Sequence, residues 1–171
     1  MMRFVIRKSK SANQGAEGRL LVAELAKIPK KNMENFLLSS IKSYHYVVWN
    51  VRFYWSISHK GDWLAVAVHN KPVGIDIELN QPRDRSMFKI FSVDEWKTLG
   101  RKSWLNFYRG WTAKESALKA LSLRLKDLKS VVICGKLGNK IYLKSVDRKL
   151  TAINYIIGRK VIAVSSQNTG N

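Results

Sequence analysis

Val73-Gly74-Ile75-Asp76-Ile77-Glu78-Leu79 reads as a β-strand, and the breaker run Asn80-Gln81-Pro82-Arg83 closes it. Alternation sets Ile75 and Ile77 on one face, Asp76 and Glu78 on the other. Toward the N-terminus two further strands are predicted, around 51–58 and 63–69, joined by the turn His59-Lys60-Gly61-Asp62. Helical spacing precedes them over 12–27, ended by Pro29, and over 32–41. Toward the C-terminus, helices over 93–100 and 104–121 give way to strands at 130–134, 140–146, 150–157 and 160–165. Gly138-Asn139 and Gly158-Arg159 supply hairpin turns there. Helices and antiparallel strands in two successive groups make the fold class α+β.

The composition suits a folded chain, with 46% hydrophobic and 11% aromatic residues among 171. Thirty-one Lys and Arg against 12 Asp and Glu give a net charge of +19. Both halves share it, with +8 over residues 1–72 and +11 over 73–171. Such a field attracts phosphate-rich cofactors, acidic proteins, anionic membranes or nucleic acid, without choosing among them. Cys134 is the sole cysteine, which excludes an intrachain disulfide and a thiolate metal cluster; its run Val131-Val132-Ile133-Cys134 suggests a buried thiol. Met1-Met2-Arg3-Phe4-Val5-Ile6-Arg7-Lys8 turns charged too early for a signal peptide, and no apolar run approaches a membrane span. A cytoplasmic location is expected.

Asp76 and Glu78 would stand about 6.6 Å apart at Cα. At an effective dielectric of 20, two charges at that distance repel by about 2.5 kcal/mol. A divalent cation would turn repulsion into attraction, and Mg²⁺ is satisfied by a few carboxylates plus phosphates. Read alone, the same alternation also describes an ordinary strand with a polar outer face. The second carboxylate element is Trp111-Thr112-Ala113-Lys114-Glu115-Ser116-Ala117-Leu118-Lys119, within a stripe of Trp104, Phe107, Tyr108, Trp111 and Leu118. Glu115 sits on or beside that buried face, where a carboxylate needs a partner. Lys119, four residues on, could supply it as a helix pair. Three of the 12 acidic residues fall in these two segments, a concentration that favours a cation site.

Together the segments resemble the 4′-phosphopantetheinyl transferase family, in its pseudo-dimeric, surfactin-synthetase-activating class. Three blocks carry the resemblance in the family's order: Ile57-Ser58-His59 with Gly61-Asp62-Trp63-Leu64-Ala65-Val66-Ala67, then Val73 to Glu78, then Phe107 to Lys119. Gly18-Arg19-Leu20-Leu21 is similar to the family's arginine-bearing helix. The resemblance implies two similar α+β lobes, residues 1–72 and 73–171, related by a pseudo-twofold with the active site in the cleft between them. It implies that Asp76, Glu78 and Glu115 coordinate Mg²⁺ with the pyrophosphate of coenzyme A. Ser58 and His59, the latter with Lys60 beside it, would contact the 3′-phosphate with Arg19 as helper, while Lys114 and Lys119 face the phosphates. Glu115 is the candidate base, directly or through a metal-bound water, and Lys119 the candidate for neutralising or protonating the leaving 3′,5′-ADP. Glu95 resembles a family acidic position near the site. His45 and His69 are read as structural.

Four differences from the family stand out. Ser43 to Asn50 occupies the place of a Gly-Lys-Pro segment that helps to wall the adenine, and Ser56 that of a common asparagine. No glycine follows the Lys-Glu helix in Lys119-Ala120-Leu121-Ser122-Leu123-Arg124. The leading strand is expected to be short, over 2–6, or missing. The resemblance implies transfer of phosphopantetheine from coenzyme A to a serine of an acidic acyl or peptidyl carrier protein, by a monomer that acts away from membranes. A non-catalytic relative that binds coenzyme A or carrier protein is one alternative. A nucleic-acid-binding protein is another, supported by the charge but leaving the three carboxylates unexplained.

Overall fold

The computed structural model describes residues 1–38, 45–48 and 51–168. Strand β1 (Arg3–Lys8) leads into helices α1 (Gln14–Ala26) and α2 (Lys30–Leu38), then strands β2 (His45–Val48), β3 (Val51–Lys60) and β4 (Trp63–His69). These strands form an antiparallel sheet in the order β1-β4-β3-β2. Strand β5 (Val73–Leu79) opens the second half, followed by a 3₁₀ turn (Arg85–Ile90), α3 (Val93–Leu99), α4 (Trp104–Ala120) and a second 3₁₀ turn (Leu125–Ser130). Strands β6 (Val132–Leu137), β7 (Lys140–Ser145), β8 (Arg148–Ile157) and β9 (Lys160–Gln167) complete a sheet ordered β5-β9-β8-β7-β6. The fold is α+β, and both sheets share one connectivity: the first strand pairs with the last, around intervening helices.

Each sheet buries one face under its own helices, as the sequence periods demand. Leu21, Val22 and Phe36 of α1 and α2 pack on Phe53, Trp55, Leu64, Val66 and Val68 of the first sheet. Phe107, Ala113, Ala117 and Leu118 of α4 pack on Ile141, Leu143, Leu150, Val161 and Ala163 of the second. A third apolar layer joins the sheets: Ala65 and Ala67 of β4 meet Val73, Ile75, Ile77, Ile162 and Val164. The alternation of β4 explains this double use, since even-numbered residues face α1 while the small odd-numbered alanines let the other sheet approach.

Several expectations are corrected. The leading strand is present and runs through Lys8, paired along its length with β4. Strand β3 continues through His59 and Lys60, so the turn shrinks to Gly61-Asp62, with Gly61 at φ 53. Helix α2 starts two residues earlier than expected, and its predicted end at 39–41 lies outside the described residues. Of the Ser43–Asn50 stretch, the described part is backbone of β2. Cys134 is exposed: Ile133 takes the inward position of edge strand β6, and a bulge follows between Ile133 and Gly135. Where glycine is missing after α4, Ser122 itself adopts a left-handed φ of 57.

Candidate functional site

Strand β5 is the edge of the second sheet, so its outward backbone groups need partners from elsewhere. Side chains of β3 provide them. Ile75 N donates to Ser56 Oγ at 3.1 Å, and Ile77 N lies 3.4 Å from Ser58 Oγ. The Ile75 carbonyl accepts from Lys119 Nζ at 2.9 Å. Ser56 thus fastens the strand that carries the carboxylates.

Helix α4 reaches the other side of that strand because Gly74 has no side chain. A Cβ there would stand 1.8 Å from the Ser116 carbonyl oxygen. Ser116 also meets Ser165 of β9, Oγ to Oγ at 2.6 Å, which fixes the helix over the sheet. This close approach brings the Glu115–Lys119 turn onto the face of Asp76 and Glu78.

Asp76 is the centre of the arrangement. It is buried, and its Oδ1 accepts from Ser58 Oγ at 2.8 Å and from Lys119 Nζ at 2.9 Å. Its Oδ2 is buried with no hydrogen-bond partner. An ionised oxygen in that condition is costly unless something positive meets it. Burial first, and then the charge of Asp76, push the Glu115 carboxyl above its ordinary range; Lys119 pulls the other way and Glu78 adds to the push. Glu78 carries two cations on one oxygen, Lys60 Nζ at 2.9 Å and Arg83 Nη2 at 3.8 Å.

The chemistry of this donor set fits a hard divalent cation: oxygen atoms only, two of them (Asp76 Oδ2 and Glu78 Oε2) buried without a hydrogen bond, and mutual repulsion to relieve. It is not a complete cage. Among the described residues no three His, Cys, Asp or Glu side chains are gathered closely enough to enclose a metal alone. Mg²⁺ asks for less, since it keeps waters and takes phosphate oxygens.

The structure therefore brings together Ser58, Asp76, Glu78, Glu115 and Lys119. It separates Lys114 from them. Lys114 is 2% exposed, its Nζ 2.8 Å from Glu95 Oε1 and 5.4 Å from the centre of the Phe91 ring. A side chain enclosed in that way does not face phosphates, and the expectation for Lys114 gives way to a structural pair. Glu95 also accepts from Ser92 N and Ile133 N; burial pushes its carboxyl up, but Lys114 and these donors hold it below the ordinary range. His59 is exposed on the opposite face of β3 from Ser58. On that face Ile57 lies against Gly18 of α1, and Arg19 donates to the Leu37 carbonyl at 2.7 Å. A cavity of about 570 Å³ opens there, walled by Asn13, Ala16, Arg19, Leu37, Trp55 and Ile57.

Two residues beside the site were not singled out by sequence reasoning as partners of Glu78. Alternation along β3 signals Lys60, which shares a face with Ser56 and Ser58. Arg83 follows the breaker that ends β5 and carried no signal. The pairing of Lys119 with Asp76, in place of Glu115, also needed the three-dimensional contact.

No helix among the described residues is long and apolar enough to cross a membrane. The 4′-phosphopantetheinyl transferase psf-1 of Bacillus pumilus is 38% identical over 72 residues, 39% of this chain and 31% of its own length. A 4′-phosphopantetheinyl transferase of Bacillus subtilis is 37% identical over 90 residues, 43% and 40% of the two chains. The 4′-phosphopantetheinyl transferase gsp of Aneurinibacillus migulanus is 36% identical over 73 residues, 40% and 31%. The chain thus covers well under half the length of each of these relatives. The model of the 4′-phosphopantetheinyl transferase superfamily matches residues 72–164, more than half of the chain and all of the second sheet except its last strand residues. With the carboxylates, Lys119 and the helix that presents it inside that match, this chain belongs to the 4′-phosphopantetheinyl transferase superfamily.

Proposed function

We propose that this protein transfers 4′-phosphopantetheine from coenzyme A to a serine hydroxyl of an acidic carrier protein, with Mg²⁺ as cofactor. The observation that carries the reading is Asp76, with one oxygen held by Ser58 and Lys119 and the other buried without a partner. Asp76, Glu115 and Glu78 would hold the cation. When bound, a dication supplies charge neutralisation across the pyrophosphate of coenzyme A.

The remaining work falls to the chain's own groups. Glu115, directly or through a water held at the cation, takes the proton of the incoming serine. The serine oxygen forms a bond to the phosphorus that bears the pantetheine, and the bond from that phosphorus to 3′,5′-ADP breaks, leaving its electron pair on the departing phosphate. Lys119 has three N–H donors, of which two go to Asp76 and Ile75. The third is available to the departing phosphate, where charge grows. Arg19 and His59 lie toward the nucleotide end on this reading, with Trp55 and Ile57 as apolar wall for the base. The two sheets with their helices act as two lobes, residues 1–72 and 73–171, with β3 and β5 meeting at the site. The charge of +19 suits both anionic substrates and speeds their encounter. Nucleic acid is the less favoured partner, a monomer the expected form and the cytoplasm the expected compartment.

Incubation with coenzyme A, Mg²⁺ and candidate apo carrier proteins, followed by mass spectrometry, tests the reading. A gain of one phosphopantetheine is expected; unmodified carriers throughout would reject it.

A further inference from the structure

Ser56, Ser58 and Lys60 share the face of β3 that looks toward β5. The two serines meet backbone and Asp76, while Lys60 meets Glu78. Arg83 approaches the same Glu78 oxygen, so one carboxylate carries two cations. Counted on Glu78 alone that is one positive charge in excess, which the neighbouring Asp76 and Glu115 share with Lys119. The exposures are unequal: the Glu78 side chain is 15% exposed, Lys60 29% and Arg83 34%. The carboxylate is the covered member, and both cations have an open side. Arg83 is steadied by the Tyr108 ring, 5.9 Å from its guanidinium carbon, and the Tyr108 hydroxyl is tied to the Gln81 carbonyl. Lys60 ends its strand at the Gly61 turn and has a long flexible stem. Lys119, by contrast, is tied to Asp76 and Ile75.

We propose that Lys60 and Arg83 are an anion-binding pair for the phosphates of coenzyme A, held on Glu78 until a divalent cation takes that carboxylate. The inference rests on the proposed function, from which it takes the metal-binding role of Glu78. Without the cation, the pair neutralises Glu78 beside Asp76 and Glu115. A dication at Glu78 repels both groups from the carboxylate, so that their charge and N–H donors turn to phosphate oxygens. Cation and nucleotide then strengthen each other's binding, reciprocally, because each removes a competitor for the other.

The test is a titration of Mn²⁺ alone, followed by electron paramagnetic resonance of the free ion, and then of coenzyme A at saturating Mn²⁺ by calorimetry. Lys60→Met keeps the stem and removes the charge. It is expected to bind Mn²⁺ about fivefold tighter and coenzyme A about fivefold weaker, the scale of one partly exposed ion pair. Lys60→Arg should restore both to near native. Lys60→Met with unchanged or weaker Mn²⁺ binding would overturn the inference and leave Lys60 a fastener between strands. Asp76→Asn separates the two readings: if it binds Mn²⁺ as tightly as native protein, or if native protein binds none, the metal site fails and takes the anion pair with it. If Asp76→Asn loses Mn²⁺ while Lys60→Met changes nothing, the anion pair fails alone.

Discussion

Lys119 reaches across from α4 to Asp76 of β5, Nζ to Oδ1 at 2.9 Å, although Glu115 lies one turn away on its own helix. The cross-element pair leaves Glu115 without that hydrogen bond and ties the helix to the strand beneath it. It also aims an ammonium at a carboxylate whose other oxygen is buried without a hydrogen-bond partner.

Lys119→Met is therefore expected to lower turnover by about a hundredfold, the scale for losing one charge-stabilising group in a transition state. Apparent affinity for the carrier protein should hardly change, since many surface charges share that contact. Steady-state kinetics checks it: full activity would reduce Lys119 to a tie between α4 and β5. If the chain were instead a nucleic-acid binder, the same variant would shift the slope of log affinity against log salt by about one unit or less.

Gly74→Ala places a methyl group on the Ser116 carbonyl, which is helix backbone and cannot step aside cheaply. A loss of about 2–3 kcal/mol in stability is expected from such overpacking. Urea unfolding measures it, and transfer activity should fall as α4 lifts from β5. Native-like stability would mean that the contact between strand and helix is softer than its geometry.

The Lys114–Glu95 pair is buried on both sides. Removing one partner, as in Glu95→Gln or Lys114→Met, should cost about 3–5 kcal/mol because the other is stranded. The double variant Glu95→Leu with Lys114→Met should recover much of that loss. A double variant as unstable as the sum of the single ones would show that the two side chains act independently.

How much of this was legible in the sequence depended on whether a contact ran within an element or between elements. The strand Val73–Leu79 was read with its observed limits, because strict alternation and a proline-containing breaker bound it on chemistry alone. The helix from Trp104 was legible for the same reason, through its aromatic stripe. Lys114 was misread since a lysine inside a catalytic-looking motif carries no mark of burial; its partner Glu95 is far along the chain. Cys134 was misplaced because an apolar run does not reveal which residue an edge-strand bulge turns outward. Strand β1 ends beside a carboxylate that sequence reasoning passed over, Glu17.

Glu17 carries a pH signature. Its carboxylate accepts from Ser9 Oγ at 2.6 Å, from Arg7 at 2.6 Å and from the Lys10 backbone at 2.9 Å. The Ser9 bond first, then Arg7 and Lys10, outweigh burial and lower its pKa from 4.5 to about 2. A lowered carboxylate stabilises the fold above its unfolded value, and that contribution is lost as pH falls through the folded one. Native protein should therefore lose stability between about pH 4.5 and 2 more steeply than Glu17→Gln, which starts lower at neutral pH. Denaturant melts across that window check it; parallel curves would remove Glu17 from the acid limb.

The most direct measurement follows one apo carrier protein by mass spectrometry with native chain and Asp76→Asn side by side, each with coenzyme A and with either Mg²⁺ or a chelator. The account predicts a gain of one phosphopantetheine with native chain and Mg²⁺, and none with the chelator or with the folded Asp76→Asn variant. Transfer by Asp76→Asn at the native rate, or by native chain in the chelator, would contradict it.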